Sequence, residues 1–115
     1  MAAPDTMSSP ASLRPPRALK PLKARHADEC ERLEQMPNIG PSLAADLRLI
    51  GVHQPADLVA ADAFDLYRRL CSTTGKRHDP CVLDTFIAAV AFMRGGEPKP
   101  WWTFTAGRKA RYGAV

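Results

Sequence analysis

The stretch 36-MPNIGPSLAADLRLIG-51 decides how the rest of the chain is read. Pro37, Gly40 and Pro41 surround one apolar residue, Ile39, and Leu43, Ala44, Leu47 and Ile50 follow at helical spacing. Pro41 suits a first helical position, because its φ is already helical and the N–H it lacks is one that a helix start leaves unpaired. Gly51 supplies a left-handed stop. Asn38 is one of the few non-glycine residues that tolerate a left-handed corner. A loop that only had to turn could use any polar residues. This composition points instead to a loop of fixed shape and little side-chain bulk, anchored by Ile39 pointing inward.

The flanking segments read as short helices. Upstream, ADECERLEQM places Cys30, Leu33 and Met36 at helical spacing with acidic residues in the first turn, where the helix dipole favours them, and predicts a helix over residues 26–36. Downstream, Gln54-Pro55 starts a third helix running to about residue 60. Asp62 reads as the N-cap of a fourth, with apolar positions Leu66, Tyr67, Leu70 and Cys71 and a stop at Gly75. Asp79 caps a fifth that opens at Pro80, carries Val82, Phe86, Ala89, Val90 and Met93, and stops at Gly95-Gly96. No stretch alternates with period two, so the chain is expected to be all-α: a compact five-helix bundle with flexible tails.

The tails are set apart by composition. Residues 1–25 hold five prolines and no apolar period, and are expected to form a disordered basic tail. The domain is expected over 26–97. Residues 98–115 read as an extension in which Pro98 and Pro100 hold the chain extended, Trp101, Trp102 and Phe104 fold back on the bundle, and AGRKARYGAV is mobile.

The formal net charge of +4 for 115 residues suggests nucleic acid, but its distribution matters more. Residues 26–99 carry eight Lys and Arg against eleven Asp and Glu, so the excess positive charge lies in the tails. Binding by the folded part must then be local and not driven by a long-range field. No apolar run spans a bilayer and no signal peptide is evident, which makes a cytoplasmic protein the expectation. Three cysteines in a reducing compartment read as free thiols.

A helix N-terminus exposes backbone N–H groups that nothing within the helix can satisfy, and an anion is their natural guest. Such a site reads phosphates and not bases, so binding would lack sequence preference. The stretch LEQMPNIGPSLAADLRLIG over 33–51 resembles a helix-hairpin-helix motif. With 55-PADLVAADAFDLYRRL-70 and the segment around 75-GKRHDP-80 it is similar to the doubled (SAM-like) form, in which a linker helix joins two hairpin units. PNIGPSLAADLRLIG, RLCSTTGKRHDPCVLDTF and GGEPKPWW together resemble a small bacterial family, the pathogenicity-locus or mitomycin-resistance-type helix-hairpin-helix proteins.

The resemblance implies a phosphate-binding set of Asn38, Ile39, Gly40, Ser42 and Leu43, acting through backbone N–H groups. Lys76, Arg77 and His78 on the second loop supply charge, both loops face one side, and together they bracket a minor groove. Arg48, about two turns into the second helix, is the nearest cation on that helix. The expected function is a small non-catalytic DNA-binding accessory protein contacting duplex DNA phosphates. The alternative is a protein–protein adaptor in which the hairpin is only scaffold.

Two sharper readings stand beside plainer ones. Cys71, His78 and Cys81 have ligand chemistry for zinc, yet no C-x-x-C pair exists and Cys71 falls on an apolar face, so buried thiols beside a loop histidine are the favoured reading. Trp101 and Trp102 suit base stacking or a partner's pocket, but packing on so small a bundle is the simpler role. The carboxylates lie mostly in caps and first turns, and no nucleophile–base–acid set is evident. No catalytic residue, metal, cofactor, membrane or small-molecule substrate is expected.

Overall fold

The computed structural model describes residues 23–113, in which helices and turns account for all regular structure. The four α-helices are α1 (Pro41–Leu49), α2 (Ala63–Thr74), α3 (Pro80–Met93) and α4 (Thr105–Tyr112), with short 3-10 turns before α1, between α1 and α2, and between α3 and α4. No described residue lies in a strand, and no described helix is long and apolar enough to cross a membrane.

The helix ends follow local chemistry. Pro41 and Pro80 open α1 and α3. Asp62 caps α2 by accepting the Asp65 N–H at 2.9 Å, and Gly75 closes it at φ +71°, a conformation that favours glycine. The central element is α3, apolar on nearly every side, with Leu83, Phe86, Ala88, Ala89, Val90, Phe92 and Met93 buried. That is the pattern of a helix surrounded by protein. α2, α4 and the turns at Pro55–Leu58 and Trp101–Phe104 pack against it, while α1 packs on α2 and the Leu33–Gln35 turn. Leu33, Met36, Ile39, Leu47, Leu58 and Leu70 complete the core.

Three expectations need correction. The segment 26–36 is not an α-helix but two 3-10 turns, Ala27–Glu29 and Leu33–Gln35, separated by extended backbone at Cys30 and Arg32. Side chains there out-compete the helix: Gln35 Oε1 accepts the N–H groups of Glu31 and Arg32, both at 2.8 Å, and Glu29 Oε1 accepts that of Arg25 at 3.0 Å. A helix of so few residues gains little to offset its nucleation cost. The third predicted helix is likewise a 3-10 turn, Pro55–Leu58, with Asp57 Oδ2 taking the His53 and Gln54 N–H groups.

The third correction concerns the C-terminal segment. Residues expected to be mobile form α4, docked on α3 by a buried ion pair. Arg108 donates to Asp84 from Nε at 2.8 Å and from Nη2 at 3.2 Å, and Thr105 Oγ1 adds a third bond at 2.8 Å. Tyr112 stacks on Phe64 with ring centroids 4.5 Å apart. The ordered structure also starts before residue 26: the Ala24 N–H bonds the Gln35 carbonyl at 2.8 Å and the residue is buried. Most of the predicted tail, residues 1–22, lies outside the described residues.

Candidate nucleic-acid interface

The loop between the Leu33–Gln35 turn and α1 has the shape its residues imply. Asn38 adopts φ +70°, the single non-glycine residue with positive φ among those described, and Ile39 is fully buried beneath the loop. Gly40 is the N-cap of α1 and has no side chain to cap with. The first bond into the helix runs from the Ala44 N–H to the Gly40 carbonyl at 2.9 Å. The Ser42 and Leu43 amides therefore have no intrahelical acceptor.

Gly40 itself is not demanded by the fold. Its φ of −93° and ψ of −175° are ordinary extended backbone open to any residue. A Cβ built there meets no atom within 4 Å. A Ser or Asp at this position would cap α1 at no steric cost, and its absence leaves a bare, amide-lined surface at the positive end of a helix dipole.

The loop's carbonyls hold a cation that sequence reasoning missed. Lys23 Nζ donates to the main-chain carbonyls of Glu34, Met36 and Ile39 at 2.8, 3.0 and 2.7 Å. The three carbonyls are thus gathered around one ammonium. Lys23 is separated from its acceptors by 11 to 16 residues within a Pro-rich stretch, so no periodicity links them. A second cation comes from farther away: Asn38 Nδ2 donates to the Lys99 carbonyl at 2.7 Å, fixing the backbone of an exposed lysine beside the loop.

Among the sequence-predicted residues, the structure sorts donors from bystanders. The Ile39 N–H is engaged by the Met36 carbonyl at 3.2 Å and leaves the donor set. Asn38 contributes as the corner and through its side chain. Arg48 is committed to Glu34 by two parallel bonds of 3.0 Å, and that guanidinium holds the Glu34 carboxyl below its usual range.

The second loop, between α2 and α3, differs in kind. Lys76 and Arg77 are exposed, as a charge-bearing loop requires. His78 is half-buried and structural: its Nε2 bonds Thr74 Oγ1 at 2.8 Å, its N–H meets Cys71 Sγ at 3.4 Å, and its carbonyl accepts the Tyr67 hydroxyl. The α3 N-terminus already holds an anion, because Asp79 Oδ1 accepts the Cys81 N–H at 2.8 Å. That bond, a backbone amide onto a carboxylate, keeps Asp79 ionised to lower pH than usual. The helix start of α1 is therefore open, and that of α3 is closed by its own aspartate.

Burial pushes Cys30 and Cys81 up, which keeps them protonated, and among the described residues no three His, Cys, Asp or Glu groups converge to share an ion. A surface cavity of about 370 Å³ between α3 and α4, lined by Val90, Arg94, Gly107 and Arg111 among others, shares no residue with either loop.

Comparison with known proteins places the chain in a family. Residues 26–110 match the sequence model of a family described as Pathogenicity locus, which is most of the chain. The chain belongs to the pathogenicity-locus family. The match takes in the open loop, the loop segments that carry Lys76 and Lys99, and α4 up to Ala110 with the docking residue Arg108, so these are elements of a pathogenicity-locus domain and not additions to one. A curated relative, "Mitomycin resistance protein McrB" of Streptomyces lavendulae, is 39% identical over 77 residues, covering 67% of this chain and 73% of its own. No solved structure matches the chain.

Proposed function

We propose that this pathogenicity-locus protein is a non-catalytic accessory protein that binds duplex DNA through its phosphates, without sequence preference. In this reading the Leu33–Gln35 turn, loop and α1 form one hairpin unit and α2, loop and α3 form a second, as in a doubled helix-hairpin-helix domain. The observation that carries the reading is Gly40: an uncapped helix start, kept bare by a glycine that neither backbone conformation nor packing requires. A phosphate oxygen approaching there accepts from the Gly40, Ser42 and Leu43 amides, with the helix dipole and the Lys23 ammonium adding favourable charge. Lys99 and the pair Lys76 and Arg77 hold neighbouring phosphates, and the two loops bracket one minor groove.

Nothing in this set reaches a base edge, which is why sequence preference is not expected. A test is the affinity of the full chain for a short duplex across a salt series. A log–log slope of about −2 to −4 corresponds to roughly two to four neutralised phosphates. No binding even near 50 mM salt would remove the reading. The acidic excess of residues 26–99 favours a second reading, a protein–protein adaptor with the hairpin as scaffold. It predicts that charge reversal at Lys76 and Arg77 leaves partner binding unchanged.

A further inference from the structure

The Trp101–Trp102 pair was expected to pack as a unit, and the structure splits it. Trp101 is half-buried in the turn that lies against α3, whereas Trp102 is 61% exposed, an unusual position for the largest apolar side chain. The two rings meet edge to face at 5.8 Å with an interplanar angle of 84°, so Trp101 buttresses Trp102. The turn that carries it is closed by Thr103, which bonds the Pro100 carbonyl from both N–H and Oγ1, at 3.1 and 2.8 Å. It is also joined to the candidate interface, because the backbone three residues before Trp102 is held by Asn38, the left-handed corner of the hairpin loop.

The surroundings say what the exposed ring suits. Residues 98–113 contain Lys99, Arg108, Lys109 and Arg111 and no carboxylate; among the described residues Arg108 is ion-paired with Asp84, and Arg111 lies over the Tyr112 ring. An exposed aromatic face on a carboxylate-free basic segment, tied through the Lys99 carbonyl to a phosphate-binding loop, matches a polyanion that carries flat rings. A base-paired duplex does not expose such rings, but a single-stranded end, a nick or a bulge does.

We propose that Trp102 is a stacking platform for one unpaired nucleobase, so that the protein prefers duplex DNA with a single-stranded extension over blunt duplex. This rests on the reading of the hairpin loop as a phosphate site. The test compares the full chain on a blunt duplex and on the same duplex with a short 3′ overhang, using wild type, Trp102→Ala and Trp102→Phe. Wild type is expected to bind the overhang roughly ten-fold more tightly, with quenching of tryptophan fluorescence. Trp102→Ala should lose that preference at unchanged blunt-duplex affinity, and Trp102→Phe should keep much of it.

Because the ring is exposed, both variants are expected to keep the wild-type circular dichroism, and the phenylalanine variant preserves the test if alanine does not fold. Equal affinity for the two DNAs, or an overhang preference that survives Trp102→Ala, overturns the proposal while blunt-duplex binding still supports the phosphate site. Failure of both DNAs to bind overturns the phosphate reading and the proposal with it. A ring left unquenched by saturating overhang DNA overturns the proposal and returns Trp102 to a protein-docking role.

Discussion

Replacing Gly40 by aspartate separates binding from folding, because the protein already contains the outcome at the start of α3. At α3, Asp79 reaches the Cys81 amide at 2.8 Å and occupies the helix start. Gly40 stands at the equivalent N-cap with extended backbone, and a Cβ there meets nothing within 4 Å. The introduced carboxylate should therefore cap Ser42 or Leu43 without strain. Folding stability should change by only a few tenths of a kcal/mol, in the stabilising direction.

Binding should fall sharply. One charge-assisted hydrogen bond to a phosphate is worth about 1.5–3 kcal/mol, and the new negative charge adds repulsion. At about 1.4 kcal/mol per factor of ten, Gly40→Asp should lose at least ten-fold in DNA affinity. Its salt slope should fall by about one unit. Fluorescence anisotropy with a labelled duplex reads the affinity, and urea unfolding reads the stability. A folded Gly40→Asp protein that binds DNA as wild type does would refute the reasoning.

Other changes test the scaffold. Lys23→Met leaves three loop carbonyls without their ammonium and should cost about 1 kcal/mol in urea unfolding, with weaker DNA binding; Lys23→Arg should not restore it, since a planar fork does not reproduce the ammonium's geometry. Asp84→Ala strands a buried guanidinium and should cost roughly 3 kcal/mol or more, and pairing it with Arg108→Met should recover much of the loss. Gly107→Ala should stabilise α4 by about 0.5–1 kcal/mol in the same measurement, because the added Cβ meets nothing. Glu34 and Asp79 have folded-state pKa values below their unfolded ones, so their contribution is fully present above the unfolded values and lost as pH falls through the folded ones. Thermal unfolding should thus be flat from pH 7 to about 5 and shift downward below about pH 4.

What was legible in the sequence was what neighbouring residues decide. Pro41 and Pro80 opened their helices as read, Asp62 and Asp79 capped theirs, and Gly75 closed α2, because each of these signals acts within one turn of chain. Ile39 turned inward and Asn38 took the left-handed corner for the same reason.

The segment 26–36 misled because its apolar spacing fits a helix while Gln35 and Glu29 offer the backbone nearer partners. α4 was missed because its docking depends on Asp84, 24 residues away, although a lone acid in the apolar run of α3 was a visible clue that a cation must reach it. Lys23 looked like one basic residue in a tail, and nothing local foretells that its ammonium meets the carbonyls of Glu34, Met36 and Ile39. His78 was read as part of a basic loop, whereas the hydroxyl of Thr74 and the thiol of Cys71, both on α2, commit it to the fold.

The most direct test of the account is to titrate the ¹⁵N-labelled full chain with a short DNA duplex and follow its amide resonances. The open helix start predicts the largest shifts at Gly40, Ser42 and Leu43, with the Asp79-capped Cys81 amide nearly still. Binding that leaves those three amides in place, or shifts Cys81 instead, would contradict the claim that the bare glycine loop is the phosphate site.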